Sequence, residues 1–361
     1  METERTNISV KQLREFTTQV FSKLGVPTED AQIISDVLTT ADQRGIASHG
    51  MQRLKRYVNG IKVGIMKPVA DIKVLKETAC TLLISGGDGL GQVVGYRAME
   101  MAIKKALQNN LAIAVVRDSN HYGIASYYSL MALKHGLIGI SLTNSEPLVV
   151  PTYGKDALIG TNPISIAVPA GEESPFVLDM ATSTVPRGKV EVYERAGKKI
   201  NETWATDALG RPTQDASLVL ANIREGKGGG LLPLGGAGEE GGGHKGYGLC
   251  LAVDLFCGVL SGSLFGRDLY SEEAQSYKTS HFFGAIKIDS FIDPDQFKKS
   301  MDIYIRTLQG SAKAEGSDRI FVHGEKEAAL YAQNTEEVPL LRQVVDEIRK
   351  IGREVNVEAP F

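Results

Sequence analysis

LAIAVVRDSNHYGIASYYSLMALKHGLIGISLT, residues 111–143, is the stretch that decides the fold. LAIAVV (111–116) and LIGISLT (137–143) are short apolar runs of strand type, and Tyr122 to His135 between them reads as a helix. A strand–helix–strand order calls for an α/β core in which helices cover a sheet. Asp118, Asn120 and His121 follow the first of these strands, and ligand sites in α/β sheets gather at the carboxyl ends of strands.

The same alternation extends outward. TLLIS (81–85) predicts a strand followed by a helix from Gln92, and PISIAV (163–168) and PFVLDM (175–180) predict two more strands. The hairpin-like PAGEES turn between the last two makes the sheet mixed rather than purely parallel. Further on, a strand (282–288), a helix after Pro294, a strand (319–323) and an amphipathic helix (338–353) are expected. The first part is helical. Ser9 caps a segment with Val10, Leu13, Phe16, Val20 and Leu24 on one face, Thr28-Glu29-Asp30 opens a second helix, and Ser48 is a natural N-cap for a third. The reading is an N-terminal helical region (1–70), an α/β core carrying the site (71–300), and a C-terminal part (301–361) that returns to the N-terminal one.

Composition narrows the function. The 361 residues are 42% hydrophobic with a formal net charge of −3 and no basic run, which argues against nucleic acid as a partner. The longest apolar stretch, Leu249 to Leu260, is broken by Asp254 and is too short to span a bilayer. METERTNISVKQ has no signal-peptide character, and Cys80, Cys250 and Cys257 share no metal or redox spacing. A soluble protein of the reducing cytoplasm is expected, with no membrane partner.

Three glycine stretches invite a dinucleotide reading. GDGLGQVVG (87–95) follows a strand and precedes a helix, but from Gly89 its spacing is one residue too long. Gly236 to Gly241 and Gly241 to Gly246 have the right spacing without a clear strand before them, and Glu239 and Glu240 would repel a pyrophosphate. The second of these leads through His244-Lys245 into an apolar helix, which suggests an anion site of backbone amides and a lysine, against a surface loop with incidental charge.

Of the six histidines, His135 sits at a helix end and His281 carries no further signal. In SHGMQRLKRY (48–57), helical spacing puts His49, Arg53 and Tyr57 on one stripe and Met51, Leu54, Val58 and Ile61 on the core side. That stripe could simply face water. It also suits a 2-hydroxy acid, since a guanidinium fork binds a carboxylate and a nearby histidine can handle a hydroxyl proton. Asp118-x-x-His121 could be half a metal site, but no second cluster of ligand spacing accompanies it. A metal-assisted hydrolase or lyase using Asp118 and His121 is the alternative of another class.

With SHGMQRLKRY (48–57), DSNHYGIASYY (118–128), TNSEP (143–147), GTNPIS (160–165), LDMATS (178–183), GGHKGYGL (242–249) and HGEK (323–326) in order, the chain resembles the malate/L-lactate dehydrogenase family that is unrelated to Rossmann-type enzymes. Relatives include L-sulfolactate, ureidoglycolate, 2,3-diketogulonate and piperideine-carboxylate oxidoreductases. The resemblance implies an L-sulfolactate dehydrogenase-like fold, a mixed sheet with helices on both faces. It also implies a homodimer with its active site at the subunit interface, and NAD or NADP bound without the usual fingerprint.

Carried over by motif, His49 and His121 are the catalytic candidates, with His49 favoured as proton carrier and the choice between them open. Ser48, Arg53 and Tyr57 match substrate-binding positions. Ser145, Asp179, Met180, Ala181, Lys245, His323, Gly324 and Glu325 match cofactor contacts, and Leu231 to Leu234 lie near the dinucleotide. Glu239-Glu240 departs from the pattern and puts the path of a cofactor phosphate in doubt. No metal is implied. The implied reaction is malate to oxaloacetate, with lactate, sulfolactate or imino acids as alternatives.

Overall fold

Strand alternation sets the two faces of the main sheet in this computed structural model, which describes residues 4–271 and 276–361. The sheet has seven strands in the order β2 (Lys73–Glu77), β3 (Thr81–Ser85), β4 (Leu111–Ser119), β14 (Thr279–Lys287), β5 (Leu137–Thr143), β8 (Ile164–Val168) and β9 (Phe176–Met180). Only β3 and β4 run parallel; the other neighbours are antiparallel. Leu82, Ile84, Ala112, Ala114, Val116 and Phe283 pack under helices α4 (Gly91–Asn109) and α5 (Ala125–Leu133). Their neighbours Leu83, Ile113, Val115 and Phe282 face the other way. There Val253 of α8 (Gly243–Asp254) and Cys257 of the π-helical turn Leu255–Val259 cover them. The mixed sheet with helices on both faces is as the sequence implies.

β14 inserts between β4 and β5, so the two strands that flank α5 are not neighbours. A second sheet, in the order β10 (Ala205–Thr206), β11 (Gly230–Leu231), β6 (Pro147–Val149) and β7 (Ile159–Gly160), shares a core with α6 (Arg187–Arg195) and α7 (Ala216–Glu225). β12 (Tyr270–Ser271) and β13 (Ser276–Tyr277) form a separate pair.

A third core joins the two ends of the chain. α1 (Val10–Lys23), α2 (Thr28–Gln43) and α3 (Leu54–Lys62) bury Leu13, Phe16, Ile34 and Leu54 against Val338 and Leu340 of β15 (Glu337–Leu341) and Ile348 of α11 (Arg342–Glu354). β15 pairs antiparallel with β1 (Arg5–Ser9). Ser9 caps α1 as expected, its Oγ accepting from Gln12 N–H.

Four expectations are corrected. Residues 338–341 are strand, because Val338 and Leu340 alternate into the core with period two; the helix starts only at Arg342. Residues 319–323 form no strand: the His323 carbonyl takes one bond from Val177 N–H, and Gly324 at φ +89 then turns the chain into α10 (Glu325–Gln333). Tyr122–Ile124 stay outside α5. Ser48 is not an N-cap. It lies in a 3-10 turn (Ala47–His49), a second such turn (Met51–Arg53) follows, and α3 begins at Leu54. The interruption has a cause: Asp42 accepts Met51 N–H at 2.7 Å, and it packs so closely that a Cβ on Gly50 would stand 2.1 Å from its Oδ1.

The loop after β4 is locked to the turn before α4. Asn120 Nδ2 donates to the carbonyls of Asp88 (3.1 Å) and Gly89 (2.9 Å), and Asp88 N–H donates to the Asp118 carbonyl at 2.8 Å. A Cβ on Gly91 would lie 2.1 Å from the Asn120 carbonyl oxygen and 2.5 Å from that of His121. The near-miss glycine motif therefore serves close approach to the His121 loop. Gly91→Ala should destabilise the fold by roughly 1–3 kcal/mol and depress turnover, as overpacking forces this loop to shift. Gly248→Ala, with nothing within 4 Å of the added carbon, is the control. Equal behaviour of the two variants in urea unfolding would refute the lock.

Candidate active site

His49, Arg53, His121, Ser145, Arg187 and Glu191 line one hollow of about 340 Å³. The elements that meet there are the 3-10 turns before α3, the loop after β4, the end of β5 and the start of α6. The imidazoles of His49 and His121 stack with centroids 5.5 Å apart and planes 19° from parallel. Tyr57, fully buried on α3, brings its hydroxyl to 2.6 Å from His121 Nδ1. The sequence placed Tyr57 on a polar stripe with His49 and Arg53; its ring is instead core, with the hydroxyl as the polar end. Arg53 is half-buried, lines the hollow and is anchored by Nε donating to the Ser48 carbonyl at 2.7 Å. Ser48 Oγ lies 2.9 Å from His49 Nδ1.

His121 has an assignable tautomer. Gly123 N–H donates to its Nδ1 at 3.3 Å, and a ring nitrogen that receives an N–H carries no hydrogen itself. Tyr57 therefore donates to the same nitrogen, and the ring hydrogen sits on Nε2. Burial pushes His121 well below the ordinary histidine range, and the Arg56, His49 and Arg53 charges push the same way. His49 is lowered to about 4 by burial, with Arg53 and Arg56 adding to it. Burial raises Tyr57 to about 12, so its hydroxyl keeps its proton.

His281, without a signal in the sequence, lies beneath this site. It stacks on Tyr122 at 4.5 Å with its ring planes 1° apart. Thr143 Oγ1 donates to the carbonyls of Asn144 (3.0 Å) or Ser280 (3.1 Å), so it accepts from His281 Nδ1 at 2.8 Å, and Nε2 in turn accepts from Ser119 Oγ at 2.8 Å. Burial lowers His281 to about 3. Arg187 and Glu191, bonded to each other at 3.0 Å, were also missed; no motif marks them in the sequence.

A second hollow, about 260 Å³, is lined by Asp179, His323, Gly324, Ser126 and Arg44, among others. Asp179 accepts Ser126 N–H at 2.8 Å, and burial raises its carboxyl. Ser126 Oγ is buried beside the same carboxyl and counters the effect of burial on it. Arg44 Nε is buried in the same hollow without a partner among the described residues, and such an orphaned donor beside a carboxylate fits a polar ligand such as a cofactor.

The remaining candidates disperse. Met180 and Ala181 follow Asp179 but line neither hollow, and neither does exposed Lys245. Glu325 is spent on Arg319, Val322 N–H (3.2 Å) and Gln309 (3.2 Å). Leu231 is core of the second sheet. The anion site expected at the start of α8 is largely filled, since His244 and Lys245 N–H donate to the Gly238 (3.2 Å) and Gly242 (2.9 Å) carbonyls. Asp118 is taken by Ser85 (2.9 Å) and Arg117 (3.2 Å).

The family model described as malate/L-lactate dehydrogenase matches residues 8–349. The chain belongs to that family. It is 47% identical over 347 residues to the malate dehydrogenase of Pyrococcus horikoshii, covering 96% of this chain and 94% of that one. It is 37% identical to the malate/(S)-sulfolactate dehydrogenase of Methanothermus fervidus, over 97% and 98% of the two. Among solved structures, malate dehydrogenase from Entamoeba histolytica superposes with a TM-score of 0.94 at 38% identity, over 99% of this chain and 100% of that one.

The buried histidines make stability depend on pH with a definite sign. His281 is neutral in the folded chain, with its pKa near 3, whereas the unfolded chain takes up a proton below roughly 6.5. Its contribution is therefore present above the unfolded pKa and is lost as pH falls towards the folded one. His281→Asn should be less damaging in acid: its destabilisation should be about 2 kcal/mol smaller near pH ~5 than near pH ~7.5. An equal loss at both pH values in urea titrations would contradict the neutral assignment.

Proposed function

We propose that this protein is a cytoplasmic NAD(P)-dependent 2-hydroxy acid dehydrogenase that interconverts malate and oxaloacetate. The observation that carries the reading is the pair of stacked neutral imidazoles beside Arg53, with His121 held by Tyr57 and Gly123. Arg53 binds the substrate carboxylate as a two-toothed fork. His121, with its hydrogen on Nε2, donates a hydrogen bond to the substrate oxygen, much as a neutral histidine polarises a carbonyl. That ring has no lone pair left to act as base. His49 does in the tautomer whose Nδ1–H donates to Ser48 Oγ, 2.9 Å away: its Nε2 then takes the hydroxyl proton during oxidation and returns it during reduction.

The nicotinamide cofactor, NAD or NADP, supplies the hydride acceptor when bound. Ser145 beside the histidines and Asp179, His323 and Gly324 in the neighbouring hollow are the residues that would hold it. The malate dehydrogenases among the relatives support malate as substrate. A homodimer with its active site at the subunit interface is also inferred. Leu251, Leu255, Phe256, Val259 and Leu260 stand exposed along α8 and its π-helical continuation, an apolar strip of the sort that subunits bury. No helix among the described residues is long and apolar enough to cross a membrane.

Reduction of oxaloacetate, pyruvate and sulfopyruvate, followed with NADH and with NADPH, tests substrate and cofactor together. His49→Ala and His121→Ala should each lower kcat by about 10²–10⁴. Arg53→Lys should raise KM sharply, because a point charge replaces the fork. Full turnover in both histidine variants would overturn the mechanism. Loss of activity on chelation would favour metal-assisted chemistry instead.

A further inference from the structure

Arg44 is the C-cap residue of α2 and is only 7% exposed. Its side chain makes no hydrogen bond or ion pair among the described residues, and its Nε is buried without a partner. Asp179 and Glu327 act on it through space, yet burial is the larger effect and lowers its pKa. A guanidinium taken out of water without a partner is costly, and the groups that repay this are anions with oxygens in its plane. The guanidinium lines the second hollow, opposite a well-defined set of polar groups.

Those groups describe the anion. Asp179 offers a half-buried carboxylate that caps the N-terminus of α5 by accepting Ser126 N–H at 2.8 Å, with buried Ser126 Oγ beside it. His323 and exposed Lys326 stand at the rim. A lone inorganic anion would use Arg44 and meet Asp179 unfavourably. A phosphorylated ribose uses both: its phosphate pairs with the guanidinium and its hydroxyls donate to the carboxylate. We propose that Arg44 is the phosphate anchor of the cofactor, holding a phosphoribosyl group in the hollow between Asp179 and His323. This rests on the dehydrogenase reading above and names a residue it does not use. The phosphate has two possible sources in the cofactor, the pyrophosphate bridge and a 2′-phosphate.

Calorimetric binding of NADH, NADPH and ADP-ribose to the full-length protein tests this without turnover. Arg44→Gln should weaken NADPH at least about tenfold, the usual worth of a charge-assisted hydrogen bond, and Arg44→Lys should recover part of the loss. Equal loss for NADH and NADPH assigns the pyrophosphate; loss for NADPH alone assigns the 2′-phosphate, and ADP-ribose binding is then unchanged. If Arg44→Gln does not fold, Arg44→Lys, which keeps the charge and loses the fork, is read instead: weaker NADPH binding is expected, and unchanged affinity for all three ligands overturns the proposal. Unchanged affinity for all three ligands in a folded Arg44→Gln overturns it and leaves the dehydrogenase reading standing. Failure of the unaltered protein to bind any of them overturns both.

Discussion

The contact between the Tyr57 hydroxyl and His121 Nδ1 is the joint on which the site depends. Tyr57 belongs to the core formed by the chain's two ends, while His121 follows a central strand of the main sheet. Neither can move without the other, and the bond is buried, where an unmade partner would leave a polar group stranded. Two further constraints hold the imidazole: the Gly123 amide below, and the Asn120 bonds to the turn before α4. On the other side, Asp42 fixes the turn that carries His49. The two rings are thus set by separate parts of the chain, and their stacking reports how those parts fit together.

Charge in this region runs against the protein as a whole. The net charge is −3, yet Arg53, Arg56 and Arg187 converge on the hollow that holds the histidines. Burial first, and Arg53 and Arg56 after it, keep the imidazoles neutral, and the three guanidiniums supply the field that an organic dianion would meet. Glu146 and Glu191 temper that field, with Glu191 bonded to Arg187. In the other hollow the carboxyl of Asp179 meets the guanidinium of Arg44, whose Nε is buried without a partner among the described residues. The one hollow is dominated by cations; the other combines a cation with a carboxylate.

Much of this was legible in the sequence, for identifiable reasons. Strands β3, β4, β5, β8 and β9 announce themselves by apolar runs, and the turn before β9 marks the antiparallel pairing. His49, Arg53 and His121 stood out because polar residues at a strand end or a helix start are unusual enough to notice. What failed was local. β15 is short and contains Pro339, so its alternation was absorbed into the amphipathic helix that follows. The break between Ser48 and Leu54 comes from Asp42, a tertiary contact invisible to spacing. His281 and Arg44 sit in apolar or helical surroundings that carry no motif, and only the folded chain shows what faces them.

The central claim is that His121 is neutral with its hydrogen on Nε2, held there by Tyr57 and Gly123. Nitrogen NMR of the ¹⁵N-histidine-labelled protein, with the resonances assigned through His121→Gln, tests it most directly. The account predicts an unprotonated Nδ1 and a protonated Nε2 for His121, unchanged as the pH is lowered through the ordinary histidine range. A His121 ring that protonates at both nitrogens near that range, or one whose hydrogen lies on Nδ1, would contradict it.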